Sequence, residues 1–404
     1  MQQMKKLILI GLLISTFFGA WSQVVEKRTR INEEIVVGAE RIHQYLNRLE
    51  NQNVGIVCNH TSYVKNTHLV DTLLSHGVKV KAIFAPEHGF RGEASAGVHI
   101  KNGIDPKSGL PITSLYGSNK KPTAEQLAGI DILIFDIQDV GARFYTYIST
   151  MHYCMEAAAE NDIKMLVLDR PNPNGFYVDG PVLKPEFKSF VGMHPIPVVH
   201  GLTVGELAQM INGEGWLKGG ALCRLTVVPC KGYTHLDLYE LPIAPSPNLP
   251  NMTSVYLYPS LCFFEGTQVS VGRGTERPFQ VIGHPTNTLG SYTFTPQSIP
   301  GVSDNPKHLG KECHGHSLEQ FGSFYFTTVG RLYFEWLEGM YRDYPDKDKF
   351  FIGKKFIDKL AGTDKLRQQL VSGESLELVR SEWQLEIEAY KKQRKQYLLY
   401  LDFE

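Results

Sequence analysis

Past Ala20 the sequence of 404 residues lacks any apolar run long enough to span a bilayer, which takes about 20 residues. A polytopic membrane protein is thereby excluded. Cysteine is sparse: Cys58, Cys154, Cys223, Cys230, Cys262 and Cys313 are scattered, with no Cys-x-x-Cys pair. That excludes a disulfide scaffold and the usual zinc ribbons, although a Cys223–Cys230 bridge is compatible with an oxidising compartment. An excess of either charge is also missing. Lys plus Arg number 41 and Asp plus Glu 42, for a formal net charge of -1. With no basic stripe in the body of the chain, nucleic acid is not an expected partner. The one basic run, Lys391, Lys392, Arg394 and Lys395, reads as the wet face of a C-terminal helix. There is no internal repeat. Histidines are plentiful, yet no His-Glu-x-x-His occurs, nor a Gly-x-Ser-x-Gly elbow, a P-loop or a dinucleotide fingerprint.

What is present begins with an address. Lys5 and Lys6 precede an apolar run from Leu7 to Ala20, and Ala20-Trp21-Ser22 offers small residues where a signal peptidase cuts. Residues 1–22 therefore read as an export signal, and no cysteine near the cut suggests a lipid anchor. The mature chain is expected in the periplasm or secreted. From there to about Tyr239, short β-branched runs alternate with amphipathic stretches, the pattern of βαβ units. Strands are predicted at Val54–Cys58, Val80–Phe84, Ile132–Ile137, Met165–Leu168, Val198–Val199 and Leu225–Val228. Helices are predicted at Thr67–His76, Thr123–Leu127, Ser149–Asn161 and Thr203–Asn212. The strands alternate little, as when helices cover both sheet faces. The stretch Leu241–Pro250 carries four prolines and reads as a junction. Beyond it lie predicted strands at Gln268–Val271 and Phe279–Ile282, helix from about Leu318, and a helical tail over Ser375–Tyr397. The expected fold is α/β: a mostly parallel sheet with helices on both faces over 23–240 and a smaller α+β domain over 241–404.

Ligands of open parallel sheets bind beyond the carboxyl ends of the strands. There the sequence places Asn59 and His60; Glu87, His88 and Arg91; Gln138, Asp139 and Arg143; Asp169, Arg170 and Asn172; and His200. Glu87 leaves an apolar strand between Pro86 and Gly89. Desolvation would raise its pKa, as a general acid requires, and the bland alternative is a loop pair with Arg91. Asp139 could instead cap a helix, and Asp169 could form a structural ion pair with Arg170. In the second half, Glu265 and the turn Gly272–Pro278 stand out, because Arg273 and Arg277 suit a carboxylate clamp. Exposed turn arginines would look the same. No metal or cofactor is expected.

The segments Ile83–Gly92, Asp136–Tyr147, Leu168–Pro173, Phe264–Thr267 and Gly272–Thr275 resemble the exo-β-N-acetylmuramidase family, and the resemblance runs on to Tyr397–Tyr400. It implies a Rossmann-like catalytic domain, a smaller C-terminal domain, and a cleft between them. It also implies release of terminal N-acetylmuramic acid from the non-reducing ends of peptidoglycan fragments, as in cell-wall recycling. The family's motif glutamate falls on Glu87. Glycoside hydrolysis usually takes two carboxyls, so Glu265, Asp139 and Asp169 compete for the second role, with assistance by the substrate's N-acetyl group as an alternative. The lactyl carboxylate of muramic acid gives Arg143, Arg273 or Arg277 a target. Two rivals share these features: a cell-wall amidase or deacetylase using a metal at His60, His88 and Asp139, and a peptidoglycan-binding module without catalysis.

Overall fold

The computed structural model describes residues 34–86, 90, 102–288, 290–353 and 355–404. The predicted export signal, and Glu87, His88 and Arg91, lie outside the described residues.

Among the described residues nine strands precede residue 229: β1 (Asn53–Cys58), β2 (Tyr63–Val64), β3 (Thr67–His68), β4 (Lys79–Ala85), β5 (Gly103–Ile104), β6 (Pro111–Ser114), β7 (Ile132–Asp136), β8 (Lys164–Leu168) and β9 (Arg224–Val228). Seven form one sheet in the order β5-β6-β4-β1-β7-β8-β9, parallel throughout except for the edge strand β5. β2 and β3 make a separate hairpin. The side-chain period of two divides the sheet's apolar residues between two cores. Val54, Ile56, Ile132, Ile134, Leu166 and Leu168 pack beneath 3-10 turns at 38–49 and helix α1 (Leu69–Ser75). Val57, Leu133, Phe135, Met165 and Val167 face helices α2 (Tyr147–Glu160) and α3 (Val204–Gly213) and much of the second half. Helix α3 starts on a capping box, in which Thr203 receives the Glu206 N–H and Glu206 receives that of Thr203.

The second half is smaller and mixed. It contains helix α4 (Met252–Leu261), a three-stranded antiparallel sheet in the order β10-β12-β11 (Val281–His284, Cys313–Ser317, Tyr292–Phe294), and helices α5 (Glu319–Val329), α6 (Glu335–Asp343), α7 (Lys347–Phe350), α8 (Phe356–Ala361), α9 (Lys365–Ser372) and α10 (Leu376–Arg394). The expected α/β class holds. Among the described residues, no helix is long and apolar enough to cross a membrane.

Four local expectations need correction. Val198–Val199 is not a strand of the sheet and makes only single bridges to Ala142 and Asp179, because Pro195 and Pro197 lack the N–H a ladder needs. Thr123–Leu127 is a turn: Leu127 N–H reaches Thr123 O and the chain reverses at Gly129 with φ 75°. Gln268–Val271 forms no strand, since side chains take the carbonyls of Gln268 and Val269. Within the basic run, Arg394 is fully buried, donating to Gly201 O and pairing with Asp402 at 2.9 and 3.0 Å. All six cysteines are buried thiols outside any disulfide, Cys223 and Cys230 included.

Candidate active site

The carboxyl ends of β1, β7 and β8 are stitched together by the polar residues that follow them. Asn59 Oδ1 receives the Thr61 N–H and hydroxyl at 2.9 and 2.6 Å. Gln138 Nε2 donates to Asp139 O and Pro171 O, both at 2.8 Å. Asn172 Nδ2 donates to Leu202 O, and its Oδ1 receives the Asn174 N–H. That side chain lies against Gly141, whose φ of 76° and lack of a Cβ permit the approach. His60 Nε2 meets Ala244 O at 2.9 Å, joining the edge to the proline-rich junction.

The carboxylates here differ in how they are held. Asp136, not singled out in the sequence, forms a buried bidentate pair with Arg170 at 2.6 and 2.9 Å. Arg170 is therefore paired across strands, not with the neighbouring Asp169. Asp169 has four donors: Arg170 N–H, Gly205 N–H, the Thr203 hydroxyl and the Tyr400 hydroxyl. Burial, and then the nearby Glu206 charge, push it up to about 6. With all its lone pairs engaged, it ties α3 and the C-terminal tail to the sheet. Asp139 is different. Its Oδ2 accepts from Gly141 N at 2.7 Å, while its buried Oδ1 meets no donor among the described residues. Burial drives its pKa up to about 7 against the pull of the Gly141 and Val140 amides. His200 stands 3.8 Å away, beyond hydrogen-bond range. Its Nδ1 receives the Leu202 N–H, which leaves the neutral ring's proton on Nε2, and burial lowers its pKa to about 3.

A cleft of about 510 Å³, its open mouth included, runs between the two halves. Phe144, Tyr145 and Tyr147 line it from the first half, and Asn248, Tyr258, Arg273 and Phe279 from the second. The Tyr145 hydroxyl donates to Pro245 O at 2.8 Å and holds the junction across it. Arg273 lies over the Phe279 ring, 4.9 Å from its centre, and its Nε donates to Glu265 at 2.8 Å. The two terminal nitrogens of Arg273 find no acceptor among the described residues. Burial favours protonation of Glu265, but the charges of Arg273 and Lys307 outweigh it and hold the carboxyl below the usual range.

The other two predicted clamps stand elsewhere. Arg143 is fully buried and donates to Pro181 O, Ile196 O and Leu360 O, so it joins the two halves. Arg277 pairs with Glu319 at 2.9 Å on an exposed surface. The sequence reading missed the aromatic lining, although Phe144-Tyr145-Thr146-Tyr147 directly follows a flagged arginine. Nothing in the sequence marked Lys307. Among the described residues, no three His, Cys, Asp or Glu side chains are grouped to hold a metal ion.

Family models for the N-terminal and C-terminal parts of exo-β-N-acetylmuramidase NamZ match residues 54–253 and 256–400. The chain belongs to that family. It is 42% identical over 375 residues to the peptidoglycan β-N-acetylmuramidase NamZ of Bacillus subtilis, spanning 88% of this chain and 89% of that protein. Two crystal structures of DUF1343 family proteins from Bacteroides fragilis each cover 92% of this chain and 100% of their own. Their TM-scores are 0.85 and 0.78, at 49% and 30% identity. The NamZ boundary between residues 253 and 256 falls at the start of α4, the first helix beyond the cleft's junction loop.

Proposed function

We propose that this NamZ-family chain is an exo-acting glycoside hydrolase that releases terminal N-acetylmuramic acid from the non-reducing ends of peptidoglycan fragments. The observation that carries the reading is the Arg273–Glu265 pair at the aromatic cleft. Arginine presents a planar fork that fits a carboxylate, and Nε alone is engaged. The lactyl group of muramic acid supplies that carboxylate, and N-acetylglucosamine has none. The aromatic walls suit the faces of a sugar ring.

Glu87 is the general acid in this reading, and the family motif supports the assignment. For the second carboxyl, protonation state decides among the three candidates. A base or nucleophile must be ionised at neutral pH. Glu265 is held ionised by its two cations, Asp139 is half protonated near pH 7, and Asp169 has no free lone pair. Glu265 is therefore the second group, and muropeptides or disaccharides are the substrates. Export follows from Lys5–Lys6, the apolar run and Ala20-Trp21-Ser22.

The test is turnover of a chromogenic N-acetylmuramic acid glycoside, with mass spectrometry of digested peptidoglycan fragments. Glu87→Gln should lower kcat by roughly 10²–10⁴, the usual contribution of general acid catalysis. A folded Glu87→Gln with wild-type turnover removes the acid. Bound but uncleaved fragments would make the protein a binding module. Peptide or acetyl release that a chelator abolishes would make it an amidase or deacetylase.

A further inference from the structure

Lys307 lies on the turn between β11 and β12, and its Nζ donates to three main-chain carbonyls: Phe264 at 3.0 Å, Thr267 at 2.6 Å and Val269 at 3.0 Å. The next residue, His308, adopts φ 63° and places Nε2 2.6 Å from Gln268 O. Two consecutive side chains thus satisfy four carbonyls on one short segment, and that segment carries Glu265. No carboxylate lies within ion-pair reach of Lys307 among the described residues. Capping carbonyls does not require a charge. A neutral amide, with two N–H donors, would cap two of the three at less desolvation, because an ammonium away from water is costly unless its charge is used.

The use of that charge is visible nearby. Glu265 is faced by Arg273, by Lys307, and by the neutral Tyr258 and Cys262. One carboxylate is therefore under the influence of two cations. Arg273 both pairs with Glu265 and opens onto the cleft. When its free nitrogens take a substrate carboxylate, its charge is shared between two anions, and Lys307 keeps the pair from being under-compensated.

We propose that Lys307 is a positioning residue for Glu265: it fixes the backbone on either side of that glutamate and supplies the second positive charge beneath the cleft. The inference rests on the reading of Glu265 as the second catalytic carboxyl. The experiment is the pH dependence of kcat/KM on a chromogenic N-acetylmuramic acid glycoside for the wild type, Lys307→Gln, Lys307→Arg and Glu265→Gln. In the wild type the acidic limb should fall below the ordinary glutamate value of about 4.3. In Lys307→Gln, which keeps an amide donor and loses the charge, that limb should move up by roughly one pH unit, the effect of one nearby opposite charge. Lys307→Arg should keep the wild-type limb. A folded Lys307→Gln with an unmoved limb overturns the proposal. If Lys307→Gln does not fold, Lys307→Met takes its place: a limb moved up by roughly one pH unit supports the proposal, and an unmoved one overturns it. Full activity of Glu265→Gln removes the catalytic reading and this proposal with it. An inactive Glu265→Gln beside an unmoved Lys307→Gln limb removes the proposal alone.

Discussion

Asp139 and Glu265 are both acidic residues from sheet or cleft motifs, yet the fold gives them opposite protonation. Folded Asp139 keeps its proton up to about pH 7, whereas an unfolded aspartate releases it near 3.9. Between those values the folded state binds the extra proton, so stability falls as the pH rises from about 4 to about 7. The whole gap is worth at most on the order of 4 kcal/mol. Asp139→Asn lacks this titration and can still accept the Gly141 N–H. Its melting temperature relative to wild type should therefore rise between pH 5 and pH 8 and level off above. Calorimetry at those two values checks the sign. Its activity should stay within about tenfold of wild type, since general acid–base roles contribute roughly 10²–10⁴. A hundredfold loss would return Asp139 to the chemistry. Arg273→Ala tests the neighbouring claim: kcat/KM should fall more for muramyl than for glucosaminyl glycosides, and an equal fall would defeat the clamp.

At the scale of elements, what the sequence made legible follows from how local each signal is. β1, β4, β7, β8 and β9 were readable because each is an apolar run whose partners are other apolar runs. Helix α3 was readable because its cap lies within its own sequence. Elements that depend on distant partners were not readable. The segment 268–271 looks like a strand, but the carbonyls of Gln268 and Val269 are answered by side chains about 40 residues away. Arg394 looks like one more solvated cation, until Asp402 and Gly201 enclose it. In the structure Asn59, Gln138, Asp139, Asp169, Arg170, Asn172 and His200, all marked by residue type at strand ends, lie along the carboxyl edge of the sheet. Their division into scaffold and open groups depended on partners such as Asp136, Tyr400 and Leu202, which sequence spacing does not reveal. The C-terminal tail is the clearest case. The Tyr400 hydroxyl donates to Asp169 and receives the Cys230 N–H, while Leu399 N–H reaches Glu206. Tyr400→Phe leaves one fewer donor on a buried carboxylate and an unpaired amide. It should cost about 1–3 kcal/mol of stability and leave kcat/KM unchanged. Denaturant unfolding and steady-state rates check both halves of that statement.

The two halves share one core, although the family models divide the chain near residue 255. A single apolar cluster takes Val57, Phe135 and Met151 from the first half and Phe263, Phe334 and Trp383 from the second. Buried polar links cross the same boundary: Arg143 to Leu360 O, Asp179 to the Leu332 N–H and Arg380, Arg394 to Gly201 O, and Tyr400 to Asp169. Cutting between the halves would strand these charges and carbonyls and expose the shared apolar face. Removing one partner of a single buried pair already costs about 3–5 kcal/mol, a large share of the stability of an ordinary domain. The full chain should therefore unfold in one calorimetric transition whose van't Hoff and calorimetric enthalpies agree. A fragment ending at residue 253 should lack a cooperative transition. Two resolved endotherms, or an independently folded fragment, would mean that the halves are autonomous. The cleft would then be a hinge between two bodies, and the fixed distance from the sheet edge to Arg273 on which the proposed recognition depends would be lost.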